Sequence, residues 1–173
     1  SQYYGAKDDE SVHKAVHSTI ALTLILSVII TALATLTTPF FLKLLGTPSD
    51  VWESSETYLG IYFLGSTGLL VYNMGSGILR AAGDSKRPLY FLIFSTIVNI
   101  TLDIIFIAVF DMGIAGAAWA TVIAELLSAL LVLIVLSAEK DCYKIVWSKI
   151  RIDFPILKKI LSVGIPTAIQ MMI

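Results

Sequence analysis

The chain has 173 residues, of which 57% are hydrophobic and 14% are charged, whereas a soluble domain carries about 25% charged residues. Its net charge of −1 gives no reason to expect a nucleic-acid partner, and its single cysteine excludes both an intrachain disulfide and a cysteine-cluster metal site. The mean hydropathy is +0.85, and the apolar residues form long runs without the alternation that is typical of barrel strands. The composition therefore predicts an all-α polytopic membrane protein.

Four runs without basic residues are long enough to cross a bilayer, because about 20 apolar residues at roughly 1.5 Å each cover its ~30 Å hydrocarbon layer. Pro39 is expected to end or kink the first of them. In the turn after the second run, Gly83 favours a helix C-terminus, and Asp84 or Ser85 favours a new N-terminus. The predicted spans are residues 15–38, 57–79, 88–110 and 112–138.

The basic residues predict the orientation of these spans. Residues 139–159 are basic and amphipathic and predict an interfacial segment, and residues 160–173 begin a further span. Eleven of the twelve Lys and Arg residues lie in segments 1–14, 80–87 and 139–159, which the four spans place on one side. By the positive-inside rule this side is cytoplasmic, and the expected location is the cell membrane.

Two of the spans carry a carboxylate, which costs several kcal/mol to bury in lipid and so predicts a function. Counted from the turn at residues 111–113, Asp103 is expected to lie level with Thr121, and Asn99 level with Glu125. Within each helix the two polar residues are four apart and share a face. Together they predict an oxygen-rich pocket that suits protons or a hard cation such as Na⁺.

Structural roles remain open for several of these residues. Asn99 and Thr121 could serve only to join neighbouring helices, and Asp103 could be a buried neutral carboxyl that holds a neighbour. Glu125 could be a second proton site, a substrate contact or the partner of another helix. Ser95, one turn before Asn99, and Asn73 in the second span are further candidates for accessory coupling or substrate contact.

Small residues predict where the helices pack closely, since close approach of backbones drives helix association in lipid. The fourth span carries such a stripe at Gly116, Ala120, Ala124 and Ser128. The second span is also rich in them, at Gly60, Gly65, Ser66, Gly68, Gly75, Ser76 and Gly77.

The sequence gives little support to an enzyme. His13 and His17 are spaced for one helix face, but no third metal ligand accompanies them, so no metal site is predicted. No nucleophile with a base and no nucleotide-binding loop is present. A membrane enzyme or a structural membrane subunit is therefore a weaker hypothesis than a transporter.

Several segments, in the right order, resemble the multidrug and toxic compound extrusion (MATE) family. The chain starts at Ser1 without a methionine and stops within an apolar run, so it is expected to be an internal piece of a longer protein. The similar segments are residues 5–8, 58–59, 79–88, 99–103, 113–121 and 162–170.

The resemblance implies a place in a twelve-helix, two-lobe transporter. Residues 1–159 would form helices three to six of the N-terminal lobe, and residues 160–173 would begin helix seven and the C-terminal lobe. In one branch of the family the cation site uses an Asp and an Asn on helix five, a Thr on helix six and an Asp on helix one. Asp103, Asn99 and Thr121 match the first three, and the fourth belongs to a helix outside this sequence. Glu125 departs from the small polar residue expected at its position.

The implied function is a cation-coupled antiporter that exports amphipathic organic compounds, with no cofactor and with H⁺ or Na⁺ as the coupling ion. Its expected partners are a small-molecule substrate, membrane lipids and the remaining helices of the same transporter. The alternative within the same superfamily is a flippase for a lipid-linked precursor. Basic residues facing the cavity would favour the flippase, and the four spans contain none.

Overall fold

The computed structural model describes residues 2–6 and 8–172, and these residues form helices and no strand. The prediction of an all-α fold is therefore confirmed. A π-helical segment, Ile104–Val109, directly continues the α-helix that ends at Asp103, and a 3₁₀ turn at Trp147–Lys149 precedes the α-helix that begins at Phe154. The α-helices are α1 (Gln2–Gly5), α2 (Asp9–Leu44), α3 (Ser49–Ala81), α4 (Lys86–Asp103), α5 (Gly113–Ala138) and α6 (Phe154–Met172).

Three helices in the described part of the chain are long and apolar enough to cross a membrane. They are α2, α5 and the continuous helix Lys86–Val109 formed by α4 with its π-helical segment. They correspond to the first, third and fourth predicted spans. Of the two alternatives expected at Pro39, an end of the helix is wrong, because α2 continues to Leu44, whereas a kink stays a prediction. Leu42 lies beyond the proline and is buried, so packing supports the last turn.

Helix α3 has 33 residues but is less apolar than the other three, because glycine, serine and tyrosine interrupt its hydrophobic residues. It runs beside α2 along its length. Thr31 Oγ1 of α2 lies 2.9 Å from Ser66 Oγ near the middle, and Ile20 and Leu79 share a buried cluster at one end. A helix that accompanies a membrane-crossing neighbour in this way is expected to cross with it, so the second span stays a prediction with this support.

Glycines of α3 allow α5 to approach closely, as the small-residue pattern predicts. A Cβ added at Gly65 would lie 2.5 Å from Val122 Cγ2, and one added at Gly68 would lie 3.0 Å from the backbone of Glu125. The stripe of α5 is buried as predicted. Gly60 and Gly77, by contrast, have nothing within 4 Å of an added Cβ, so they do not belong to this contact.

The turn between α3 and α4 has the predicted caps. Gly83 follows the C-cap residue Ala82 of α3 and has a φ of +93°, a conformation that favours glycine. Asp84 Oδ1 accepts hydrogen bonds from the backbone N–H groups of Lys86 and Arg87 at 3.1 Å each and so satisfies the start of α4.

Residues 139–153, here called the linker segment, belong to the predicted interfacial segment at residues 139–159, whose place at a membrane surface stays a prediction. They are irregular except for the 3₁₀ turn, and Tyr143 and Ile145 are buried in the cluster that contains Leu79. This burial raises the pKa of Tyr143 to about 12. Helix α6 begins at Phe154 instead of residue 160, because Asp153 Oδ1 accepts the N–H of Ile156 at 3.2 Å and caps it.

The linker segment lies at the same end of the bundle as the turn before α4. Arg87 forms an ion pair with Glu139, and its Nε lies 2.6 Å from Asp84 Oδ2. Val146 meets His17 near the start of α2. The three segments that the positive-inside rule groups together are thus neighbours in the structure.

Candidate functional site

The centre of the site is a contact between α4 and α5. Asn99 Nδ2 donates a long hydrogen bond of 3.5 Å to Thr121 Oγ1. The Thr121 hydroxyl in turn donates to the carbonyl of Ala117, one turn earlier on α5, at 3.0 Å. Both side chains are half-buried. The amide oxygen of Asn99 and one lone pair of the Thr121 hydroxyl remain available to a ligand.

Asp103 lies one turn after Asn99, at the last position of α4. Its Oδ1 is buried and has no hydrogen-bond partner among the described residues. A buried polar atom without a partner is uncommon, because its desolvation is not compensated. At this position the carboxyl can take up a proton or contribute an oxygen to a cation.

The structure pairs Thr121 with Asn99, whereas counting from the turn paired it with Asp103. The difference arises directly after Asp103, where the α-helix becomes a π-helix. A π-helix closes its hydrogen bonds over five residues instead of four, so each turn holds more residues and the segment is shorter than the count assumed. Asn99 is consequently closer to the turn at residues 111–113 than predicted.

Glu125 is the second carboxyl of the site, one turn beyond Thr121 on α5. Its Oε2 is also buried without a partner in the described part of the chain. Its backbone forms the close approach to Gly68, so its position is fixed by the packing of α3 against α5. Two carboxyl groups therefore lie near the contact, Asp103 four residues after Asn99 on α4 and Glu125 four residues after Thr121 on α5.

The two accessory candidates differ from each other. Ser95 is buried on α4, one turn before Asn99. Asn73 is exposed, and its Nδ2 donates to Leu69 O of its own helix at 2.9 Å, so no direct contact joins it to the α4–α5 site. Thr31 was not singled out from the sequence, although its hydroxyl joins α2 to Ser66. An isolated threonine in an apolar run gives no signal of such a contact.

These features define the class of the protein: a multi-pass α-helical membrane protein with ionisable groups inside its membrane-crossing helices. Such groups usually mark an ion or substrate path. No cluster of three or more metal-binding side chains is found within residues 2–6 and 8–172.

Comparison with known proteins gives the family. The MatE family model matches residues 1–105. The probable multidrug resistance protein YpnP of Bacillus subtilis is 40% identical over 138 residues, which are 76% of this chain and 29% of that protein. The probable multidrug resistance protein YoeA of Bacillus subtilis is 33% identical over 179 aligned positions, covering 99% of this chain and 39% of that protein.

The fold agrees with this match. A solved inward-facing structure of a multidrug resistance MATE family transporter of the MOP superfamily has a TM-score of 0.86 and 33% identity, and the match covers 96% of this chain and 38% of that one. The chain belongs to the MATE family, and the predicted family is confirmed. It spans about two fifths of that structure and 29% and 39% of the two relatives, all of them named as transporters or resistance proteins and none as an enzyme.

Proposed function

We propose that the whole protein is a cation-coupled antiporter that exports amphipathic organic compounds across the cell membrane. The observation that carries this proposal is the buried, unpartnered Oδ1 of Asp103 beside the Asn99–Thr121 contact. Membership of the MATE family supports the export of small molecules, and the relatives YpnP and YoeA are named probable multidrug resistance proteins.

In this proposal Asp103 binds the coupling ion, H⁺ or Na⁺, and Asn99 and Thr121 assist it. For Na⁺ the ligands would be the carboxylate of Asp103, the amide oxygen of Asn99 and the hydroxyl of Thr121. Ion binding can drive export only if the ion binds one conformational state more tightly than the other. Asp103 is suited to such a difference, because it lies where α4 changes to a π-helix, so a change in local helix geometry would change its surroundings.

Glu125 is proposed as an accessory group in coupling or substrate binding. Its carboxyl is one turn from Thr121, and no Lys or Arg occurs within the four predicted spans to pair with it. Ser95 is the next candidate on the α4 side of the site. Two carboxyl groups in spans that contain no Lys or Arg favour organic cations over anionic lipid-linked precursors, which makes the flippase the weaker hypothesis.

The proposed activity is tested with the purified whole protein in proteoliposomes that contain a fluorescent organic cation. An imposed pH or Na⁺ gradient should accelerate efflux by about tenfold, and the gradient that does so identifies the coupling ion. Efflux that is indifferent to both gradients would contradict the antiporter. Movement of a fluorescent lipid-linked phosphate without any efflux of the organic cation would favour the flippase.

The proposed orientation places residues 1–14, 80–87 and 139–159 in the cytoplasm. In a variant that lacks Cys142, single cysteines at positions 84 and 144 should react with a membrane-impermeant reagent only from the cytoplasmic side. A cysteine at position 50 should react only from outside. Labelling of positions 84 and 50 from the same side would contradict the span assignment.

A further inference from the structure

His17 joins α2 to the linker segment through both of its ring nitrogens. The side chain is 2% exposed, although it lies near the start of a membrane-crossing helix. Its Nδ1 is 2.7 Å from the carbonyl oxygen of His13, to which it donates, and Nε2 then accepts the backbone N–H of Val146 at 3.0 Å. Both ring nitrogens thus have a hydrogen-bond partner in one orientation of the ring, and His17 and Val146 are 129 residues apart in the chain.

Ser18, the next residue, joins α2 to the start of α6. It is 0% exposed, its Oγ accepts the backbone N–H of Asp153 at 3.0 Å, and it donates to the carbonyl of Arg151 at 3.4 Å. Asp153 is also the residue whose carboxylate accepts the N–H of Ile156 in the first turn of α6. One hydroxyl therefore holds the residue that caps α6.

The hydrogen bonds of His17 and Ser18 hold the linker segment in a defined position on α2, in addition to filling buried space. Buried hydrogen bonds between side chain and backbone restrain direction and distance, which apolar packing alone does not. Tyr143 and Ile145 anchor the linker segment in the core. From Val146 to Asp153, His17 and Ser18 supply the side-chain hydrogen bonds to α2, and Ile150 packs against the same core.

We propose that His17 and Ser18 are positioning residues for transport, which hold the linker segment on α2 and thereby set the place of α6 relative to the helices that carry Asp103 and Glu125. This inference rests on the proposed function, in which the ion binds one conformational state more tightly than the other, and adds that α6 moves relative to the first lobe between those states. Losing the attachment changes the balance between the transporter's conformational states and slows efflux without removing the ion site.

The attachment itself is measured by hydrogen exchange of the whole protein in detergent, which needs no transport. His17→Leu should increase exchange of a peptide covering residues 145–153 by about tenfold, the effect of losing one buried hydrogen bond. Ser18→Ala, a smaller change, should do the same at the Asp153 amide. His17→Gln retains an acceptor within reach of the Val146 N–H and should stay close to the wild type. His13→Gln is the matched control, because it keeps the backbone carbonyl that accepts from His17 and removes only the ring stacked on it at 4.1 Å; exchange should stay close to the wild type.

The positioning role is then measured by efflux and by the distance between spin labels at positions 50 and 169 of the whole protein. Ser18→Ala and His17→Leu should lower efflux about fivefold and shift the distance distribution, whereas His17→Gln should restore both. Unchanged exchange in both variants overturns the attachment. Faster exchange with wild-type distances overturns the positioning role. If the wild type shows no gradient-driven efflux, the proposed function fails, and exchange and distances still decide the roles of His17 and Ser18.

Discussion

Buried polar groups at the α4–α5 contact and at the basic end of the bundle, where α2 meets the linker segment, differ in whether they have hydrogen-bond partners. At the basic end, the His17 ring, the Ser18 hydroxyl and the Asp153 carboxylate all have defined partners. At the α4–α5 contact, Asp103 and Glu125 each keep a buried oxygen without one. Satisfied buried groups stabilise one structure, whereas unsatisfied ones leave room for a ligand that comes and goes. The difference indicates that the basic end stabilises the fold, and it supports the proposal that the α4–α5 contact exchanges an ion.

The strongest test of this comparison is Asp103→Asn, which keeps the shape of the side chain but cannot exchange a proton and coordinates Na⁺ poorly. In the whole protein, gradient-driven efflux should fall by up to about 100-fold, to the level of passive leak. Membrane insertion and thermal stability should remain as in the wild type, because no hydrogen bond to Asp103 Oδ1 is lost. Efflux is measured in proteoliposomes and stability by thermal unfolding in detergent.

The matched control is Asp111→Asn, the same substitution in the exposed turn before α5. It should leave both efflux and stability unchanged. Full gradient-driven efflux by Asp103→Asn would remove Asp103 from the proposed coupling site.

Glu125→Gln distinguishes an accessory carboxyl from a primary one. Efflux should fall by about three- to tenfold and remain dependent on the gradient, because Asp103 still exchanges the ion. The initial rate is measured at several substrate concentrations, so that weaker substrate binding is separated from slower turnover. Complete loss of efflux at normal expression would make Glu125 a coupling residue equal to Asp103.

Asp84→Ala tests the basic end, where the expected effect is smallest. It removes the acceptor for the N–H groups of Lys86 and Arg87 and should lower the free energy of unfolding by about 1 kcal/mol, with little change in efflux. Asp84→Asn keeps an acceptor oxygen and should lower the free energy of unfolding by less than Asp84→Ala does. Thermal unfolding of the two variants side by side measures the difference in stability. A large loss of efflux by Asp84→Asn at normal stability would contradict a purely structural role for the basic end.

Local features of this protein could be predicted from the sequence, because they depend on residues close together in the chain. The apolar runs predicted four spans, and three of them are helices long and apolar enough to cross a membrane. Gly83 and Asp84 predicted the caps that the structure has. The stripe from Gly116 to Ser128 likewise predicted the buried face of α5.

Features that depend on distant contacts could not be predicted in the same way. Nothing in the residues after Asp103 signals a π-helix, so counting placed Thr121 level with Asp103, whereas the hydrogen bond of Thr121 across the contact is with Asn99. The attachment of His17 to Val146 joins positions 129 apart, and the spacing of His13 and His17 suggested only a shared helix face. The polarity of residues 139–153 also concealed that Tyr143 and Ile145 enter the core.

The measurement that tests the central claim most directly is infrared difference spectroscopy of the whole protein in lipid as the pH or the Na⁺ concentration is changed. If Asp103 exchanges the coupling ion, the wild type should show a carboxyl difference band that persists in Glu125→Gln and is absent from Asp103→Asn. A wild type without such a band, or a band that survives in Asp103→Asn, would contradict the assignment of ion exchange to Asp103.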